Sequence, residues 1–267
     1  MSLPRSPASV REVAAKLQAY QYDAQDRLTE VCYQSSCPGG SDPFIRWTYD
    51  DVGNRLTEAR PSGTTNYSYN AADQLTQAGS TSFDYDDNGN QTEAGSTTYT
   101  YDLANRLLTA DDGSTTTAYS YDGDGNRLEA DGGSDVTRYL WDQSFGLPQL
   151  ALERTGGGSL IRRYVYGQGR ISMSSGGNLF YYHADKLGSV ANLTDASGDS
   201  QWTYGYEPYG AVKTETQDDP SAPENPIRLT GELQDETGLY HLRARQYDPT
   251  LGRFLGVDPL AASVSSP

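Results

Sequence analysis

Along most of this chain, aromatic and apolar residues alternate with polar ones over short runs, and clusters of Asp, Gly and Asn close the runs. The clearest stretch reads Tyr119-Ser120-Tyr121-Asp122, then Gly123-Asp124-Gly125-Asn126, then Arg127-Leu128-Glu129-Ala130. Residues two apart on a strand share a face, so the pattern predicts one strand with Tyr119 beside Tyr121 and a second with Leu128 beside Ala130. Asp122 opens the turn, and the Gly and Asn that follow supply the positive φ angles short hairpin loops need. The predicted element is a β-hairpin.

The same phrase returns about ten times. Copies stand at Tyr20-Gln21-Tyr22-Asp23, Tyr49-Asp50, Tyr67-Ser68-Tyr69-Asn70, Phe83-Asp84-Tyr85-Asp86, Tyr101-Asp102 and Tyr139-Leu140-Trp141-Asp142, with looser echoes at Tyr164-Val165-Tyr166, Tyr181-Tyr182 and Trp202-Thr203-Tyr204. Anchor residues in the middle stretch lie 16 or 20 apart. That period fits one hairpin per repeat, and units so small bury apolar surface only by stacking on their neighbours.

Composition changes the picture in one respect. Apolar residues with glycine make up roughly 37% of the chain, against about 45–50% in ordinary globular domains. The aromatic content is 21 Tyr against 5 Phe, and a tyrosine packs its ring while its hydroxyl meets water or backbone. A thin, tyrosine-rich sheet is expected in place of a thick dry core. With charged residues at 21% and β-favouring aromatics on schedule, the chain does not read as disordered. The net charge of −16 argues against a nucleic-acid partner, which needs a concentrated basic face, and favours solubility. No 18-residue apolar stretch is present to span a membrane, and Met1 to Tyr20 lacks the apolar region of a signal peptide; Val10 to Tyr20 reads as a short helix or irregular lead-in.

Candidate chemistry is sparse. Cys32 and Cys37 sit in an apparent loop insertion between the first two repeats, either as a local disulfide or as two free thiols. No metal site is expected, because His183 and His241 lie far from the cysteines and are not spaced as a pair. Asp122-Gly123-Asp124-Gly125-Asn126 begins like a calcium loop, but Arg127 stands where glycine is required and Gly133 where a glutamate should close the site. These aspartates read as turn formers. No phosphate-binding loop, serine elbow or dinucleotide fingerprint occurs, so no cofactor is expected. Both histidines read as structural, and the sequons at Asn66, Asn90 and Asn192 matter only in a eukaryotic secretory route.

The last 65 residues change character. Leu187-Gly188-Ser189 and Tyr204-Gly205-Tyr206-Glu207-Pro208-Tyr209-Gly210 precede a polar, proline-bearing stretch from Lys213 to Pro226. Then come Asp235-Glu236-Thr237-Gly238-Leu239-Tyr240, Arg245-Gln246-Tyr247-Asp248-Pro249, Gly252-Arg253-Phe254 and Asp258-Pro259. In this ordered set the chain resembles the C-terminal portion of an Rhs/YD-repeat protein with its repeat-associated core domain. The resemblance implies an all-β fold, a tandem β-hairpin spiral of the shell or cocoon type, here a partial shell. Its parts would be a lead-in over 1–19, hairpin repeats over 20–202 and the core domain over 203–267. It implies a bacterial secreted or cell-surface scaffold that encloses or presents a C-terminal toxin or other cargo polypeptide, in company with other shell segments or delivery-machine proteins. In toxin-complex relatives the core domain is an aspartyl autoprotease. Carried over by motif, the candidate pair is Asp235 and Asp258, supported by Arg253, with Asp248 as an outside candidate; two carboxylates sharing one proton would divide the base and acid roles. Gln234 stands where those relatives have a basic residue, and the chain stops at Pro267, before their usual cleavage motif. The alternative is a surface adhesion or carbohydrate-binding repeat module, with structural aspartates and no protease activity.

Overall fold

The computed structural model describes residues 18–33, 44–144 and 146–258, so the lead-in before Gln18 and Cys37 lie outside the described residues. The chain forms two compact units, Met1–Ser80 and Thr81–Pro267. The first carries β1 (Ala19–Tyr22), β2 (Leu28–Cys32), β3 (Phe44–Tyr49), β4 (Arg55–Arg60), β5 (Gly63–Tyr69) and β6 (Leu75–Ala78), each paired antiparallel with the next. Its core is Val31, Ile45, Trp47 and Leu75, and the Trp47 indole donates to Glu58, which is ion-paired with Arg60 at 2.7 Å. Cys32 ends β2, is buried, and is disulfide-bonded.

The second unit begins with β7 (Thr81–Tyr85), β8 (Gln91–Ala94), β9 (Thr97–Tyr101), β10 (Leu107–Asp111), β11 (Thr116–Tyr121), β12 (Arg127–Asp131) and β13 (Val136–Asp142). It continues through β14 (Gln149–Thr155), β15 (Leu160–Tyr166), β16 (Arg170–Ser175), β17 (Asn178–Ala184), β18 (Val190–Asp195), β19 (Ser200–Tyr206) and β20 (Val212–Gln217). These strands make one antiparallel meander, so hairpin pairing runs on through Gln217, past the boundary drawn from sequence at residue 202. A single 3-10 turn, Leu229–Gly231, leads into a small sheet of β21 (Leu233–Gln234), β22 (Tyr240–Leu242), β23 (Arg245–Asp248) and β24 (Arg253–Phe254). The architecture is all-β, as expected, and among the described residues no helix is long and apolar enough to cross a membrane.

The Tyr-Asp turn explains why these residues recur. Asp122 Oδ1 accepts from the backbone N–H of Asp124 and of Asn126, at 2.9 and 2.8 Å, while its own N–H donates to the Asn126 carbonyl. The fourth turn residue, Gly125, has φ +88, a conformation glycine adopts without penalty. The turn also inserts an extra residue: Ser120 pairs with Glu129 and Tyr121 with Arg127, leaving Leu128 opposite nothing. Arg127 therefore shares the buried face with Tyr119 and Tyr121, fully enclosed, and Leu128 points outward at 42% exposure. The expected Leu128–Ala130 face is broken by this bulge, because one added residue inverts a period of two.

Two turn forms alternate along the first six repeats. Where the fourth turn residue is Gly53, Gly89 or Gly125, an Asn follows and the next position inward is Arg55, Gln91 or Arg127. Where it is Asp26, Asp73 or Asn105, held at φ 57–60, Arg or Gln follows directly and a leucine, Leu28, Leu75 or Leu107, turns inward. Adjacent turns are then tied: Asn90 donates to Asn105, and Arg106 to the Asp122 carbonyl, at 2.8 and 3.0 Å.

Tyrosine is used over phenylalanine for a reason visible in the repeats. The hydroxyls of Tyr101, Tyr121, Tyr166 and Tyr206 donate to the carbonyls of Gln91, Leu107, Leu150 and Val190, one hairpin earlier, at 2.8–2.9 Å. In the first unit Tyr49 and Tyr69 bond Leu28 and Arg55 in the same way. Three of the acceptors, Gln91, Leu107 and Val190, directly follow a turn, where the bulge interrupts the ladder and leaves a carbonyl to be satisfied.

Candidate functional site: a docked C-terminal segment

After β20 the chain returns across the buried face of the meander, and successive strands hold it. The Trp202 indole donates to the Pro223 carbonyl at 2.8 Å, Arg162 Nε to the Glu224 carbonyl at 2.9 Å, and the Tyr182 hydroxyl to Asn225 at 3.0 Å. Arg170 Nη1 donates to the Gly231 carbonyl, the Val190 N–H to Arg228, and the Gln91 N–H to Leu255 at 2.7 Å. Apolar packing follows the same line: Ile227 and Leu233 join Tyr139, Leu150, Tyr164, Met173, Phe180 and Leu193, while Leu239 and Leu255 join Leu107, Ala110 and Tyr119. The glycine of Pro208-Tyr209-Gly210 has a steric cause, since a Cβ there would fall 2.2 Å from Leu229 Cδ2.

Charge is placed with care in this wall. Arg127 Nη1 meets Asp235 Oδ2 at 2.7 Å with the two side chains 0% and 4% exposed, and its guanidinium stacks 4.1 Å over the Tyr119 ring. Burial works most strongly against the Arg127 charge, but the Asp235 carboxylate together with Tyr119, Tyr121 and Tyr139 outweighs it, and the pKa is raised. Tyr119 donates to the same carboxylate oxygen at 3.0 Å; burial and the Asp235 charge push its pKa well up, so it remains a donor. The other oxygen accepts from the backbone and hydroxyl of Thr237. Arg127 Nη2 bonds Gln246, whose amide reaches His241 Nδ1 at 3.0 Å. His241 is enclosed beside Trp141, ring centroids 5.6 Å apart, and burial, then Arg127 and Arg243, hold its pKa well below 6.5. A second enclosed pair, Arg162–Glu153 at 2.7 Å, takes the Tyr164 hydroxyl as well.

The candidates read from the sequence are distributed as follows. Asp235 lines a cavity of about 170 Å³ with Asp135, Glu153, Glu224 and Glu236. Burial, then the charges of Asp135, Glu224 and Asp235, raise the Glu236 pKa. Asp258 lines a different cavity of about 200 Å³, is 41% exposed, and pairs with Arg245 at 3.0 Å. Each aspartate therefore has an arginine of its own. Arg253 lies in β24 opposite Asp248, and Asp248 caps a turn through Thr250 and Leu251. His183 is exposed and bonds Thr194. Sequence reasoning missed Arg127 and Tyr119 as partners of Asp235, and Gln246 as the second partner of Arg127. The available signal was Gly125, which moves the following Asn-Arg-Leu by one place and turns the arginine inward.

A meander of Tyr-Asp hairpins with its own C-terminal segment packed on the buried face defines a shell segment of the YD type. The chain belongs to the Teneurin YD-shell family, whose profile matches residues 9–264. It is similar to the tRNA3(Ser)-specific nuclease WapA of Bacillus spizizenii, 32% identical over 244 residues, which is 90% of this chain and 7% of that protein. It is also similar to toxin protein Tse5 of Pseudomonas aeruginosa, 40% identical over 81 residues, 30% of this chain and 6% of that one. Among solved structures, TcdB2-TccC3-Cdc42 shares the fold, with a TM-score of 0.69 at 20% identity over 91% of this chain and 14% of that one. The chain thus spans less than a tenth of the length of these curated relatives.

Proposed function

We propose that this chain is a shell segment of an Rhs-type toxin that encloses or presents the polypeptide continuing from its core domain, outside the cell that makes it. The observation that carries this reading is the docking of residues 223–258 on the meander by Trp202, Arg162, Tyr182, Arg170, Arg127 and the Gln91 backbone. A chain returned to the wall in this way delivers whatever follows it to the same wall. The names of WapA and Tse5 support a toxic cargo. The partners implied are that cargo, further shell segments and a delivery assembly.

The test is limited proteolysis with intact-mass readout of the chain extended through its native continuation, beside Asp235→Asn and Asp258→Asn. Protection of the continuation relative to the same peptide alone is expected, and equal digestion of the two would refute the holding role. The same spectra read the autoproteolysis expected from the resemblance: a cut parent with both variants intact assigns Asp235 and Asp258 to it, and an intact parent leaves them as turn and docking residues.

A further inference from the structure

The arginines that hold the C-terminal segment differ in one respect. Arg127 faces Asp235, Arg162 faces Glu153 and Glu224, Arg228 faces Glu215, and Arg243 faces Glu232. Arg170, largely buried at the start of β16, has no carboxylate within 4 Å among the described residues. Its guanidinium lies among the rings of Tyr164, Tyr166 and Tyr182, 5.1–5.9 Å from their centroids. Nε and Nη2 both donate to the Tyr166 hydroxyl, at 3.0 and 2.6 Å, and Nη1 donates to the Gly231 carbonyl. The Tyr166 hydroxyl gives its proton to the Leu150 carbonyl, so both its lone pairs serve the arginine. A guanidinium carries five N–H groups; three are engaged here and two remain, one on each terminal nitrogen.

Arg170 lines a cavity of about 400 Å³ with Tyr166, Tyr182, Gln149, Arg243 and Glu232. The ionised residues of that lining are Arg170, Arg243 and Glu232, so the cavity has a net positive charge in a chain of net charge −16. Arg243 is bound to Glu232 at 2.8 Å and to the Pro148 carbonyl at 3.1 Å, which leaves Arg170 as the charge not matched within the lining. Two N–H groups on a planar, always-charged fork suit a carboxylate better than any neutral acceptor.

We propose that this cavity is a carboxylate-binding site centred on Arg170, with the Tyr166 hydroxyl holding the guanidinium in place. The carboxylate comes from a small organic acid or from an acidic side chain of a polypeptide.

The test is calorimetric titration of the chain with succinate and, separately, with N-acetyl-glutamate amide, at ionic strength held constant with chloride. Saturable binding in roughly the millimolar range is expected for so few atoms. Succinate binding supports a site for a free acid, and binding of the blocked glutamate alone supports a polypeptide side chain. Arg170→Met, checked for folding by near-ultraviolet circular dichroism, is expected to weaken binding by about tenfold or more, the loss of a charge-assisted contact. Glu232→Gln leaves Arg243 its Pro148 contact, removes the cavity's one negative charge and is expected to tighten binding, so the site is testable even if Arg170→Met does not fold. No saturable binding of either probe, or affinity unchanged in Glu232→Gln, overturns the proposal.

Discussion

Removing Arg127 is the sharpest test of how the C-terminal segment is held. Arg127→Met keeps most of the side-chain length but strips Asp235 of its ion pair at 2.7 Å and Gln246 of a bond at 3.0 Å. The carboxylate left behind is 4% exposed and retains Tyr119 and Thr237 as donors. An uncompensated enclosed charge costs about 3–5 kcal/mol. Asp235→Asn leaves the Arg127 guanidinium, 0% exposed, without its counter-charge and is expected to cost a similar amount, about 3–5 kcal/mol. In the double variant the two losses overlap, so its cost should fall short of their sum by about 1–3 kcal/mol. Urea unfolding followed by tryptophan emission reports on the right region, since Trp141 packs on His241 in the same cluster. A cost under about 1 kcal/mol for Arg127→Met, or strictly additive effects, would show that the pair is not what anchors the segment.

Three further outcomes are expected. Tyr101→Phe strands the Gln91 carbonyl and should destabilise by about 1–3 kcal/mol in the same assay, while Tyr181→Phe, on an exposed ring, should change little. Gly125→Ala should cost about 1–2 kcal/mol of backbone strain alone, because φ is +88 and an added Cβ meets nothing within 4 Å; Asp26→Gly, at φ +60 on an exposed side chain, should not destabilise comparably. His241 is held neutral when folded and titrates near 6.5 when unfolded, so below that pH the unfolded chain binds the extra proton. Stability should fall as pH drops through 6.5, by up to about 1.4 kcal/mol per pH unit, and His241→Gln should flatten that slope in urea titrations at stepped pH.

Much of the repeat architecture was legible along the chain, because its causes are local. Asp122 opens its turn with bonds to residues two and four ahead, Gly125 takes the left-handed position, and Tyr119 and Tyr121 lie two apart on one strand. The resemblance of the C-terminal motifs also pointed to a segment of distinct character. Local reasoning failed first at the bulge, since Leu128 and Arg127 exchange faces through one unpaired residue that a strict period of two does not contain.

What the order of residues determined by itself was the hairpin, its period and its all-β stacking, since each depends on interactions within one or two repeats. Only the tertiary structure decided that Asp235 would meet Arg127, 108 residues earlier in the chain, that Asp258 would face Arg245 beside another cavity, and that Arg170 would line a third cavity with no carboxylate of the described residues within 4 Å. Those outcomes depend on where the returning segment crosses the sheet. That crossing is set by the packing of Leu229 against Gly210 and of Ile227 and Leu233 among the inward tyrosines, which no spacing in the sequence encodes.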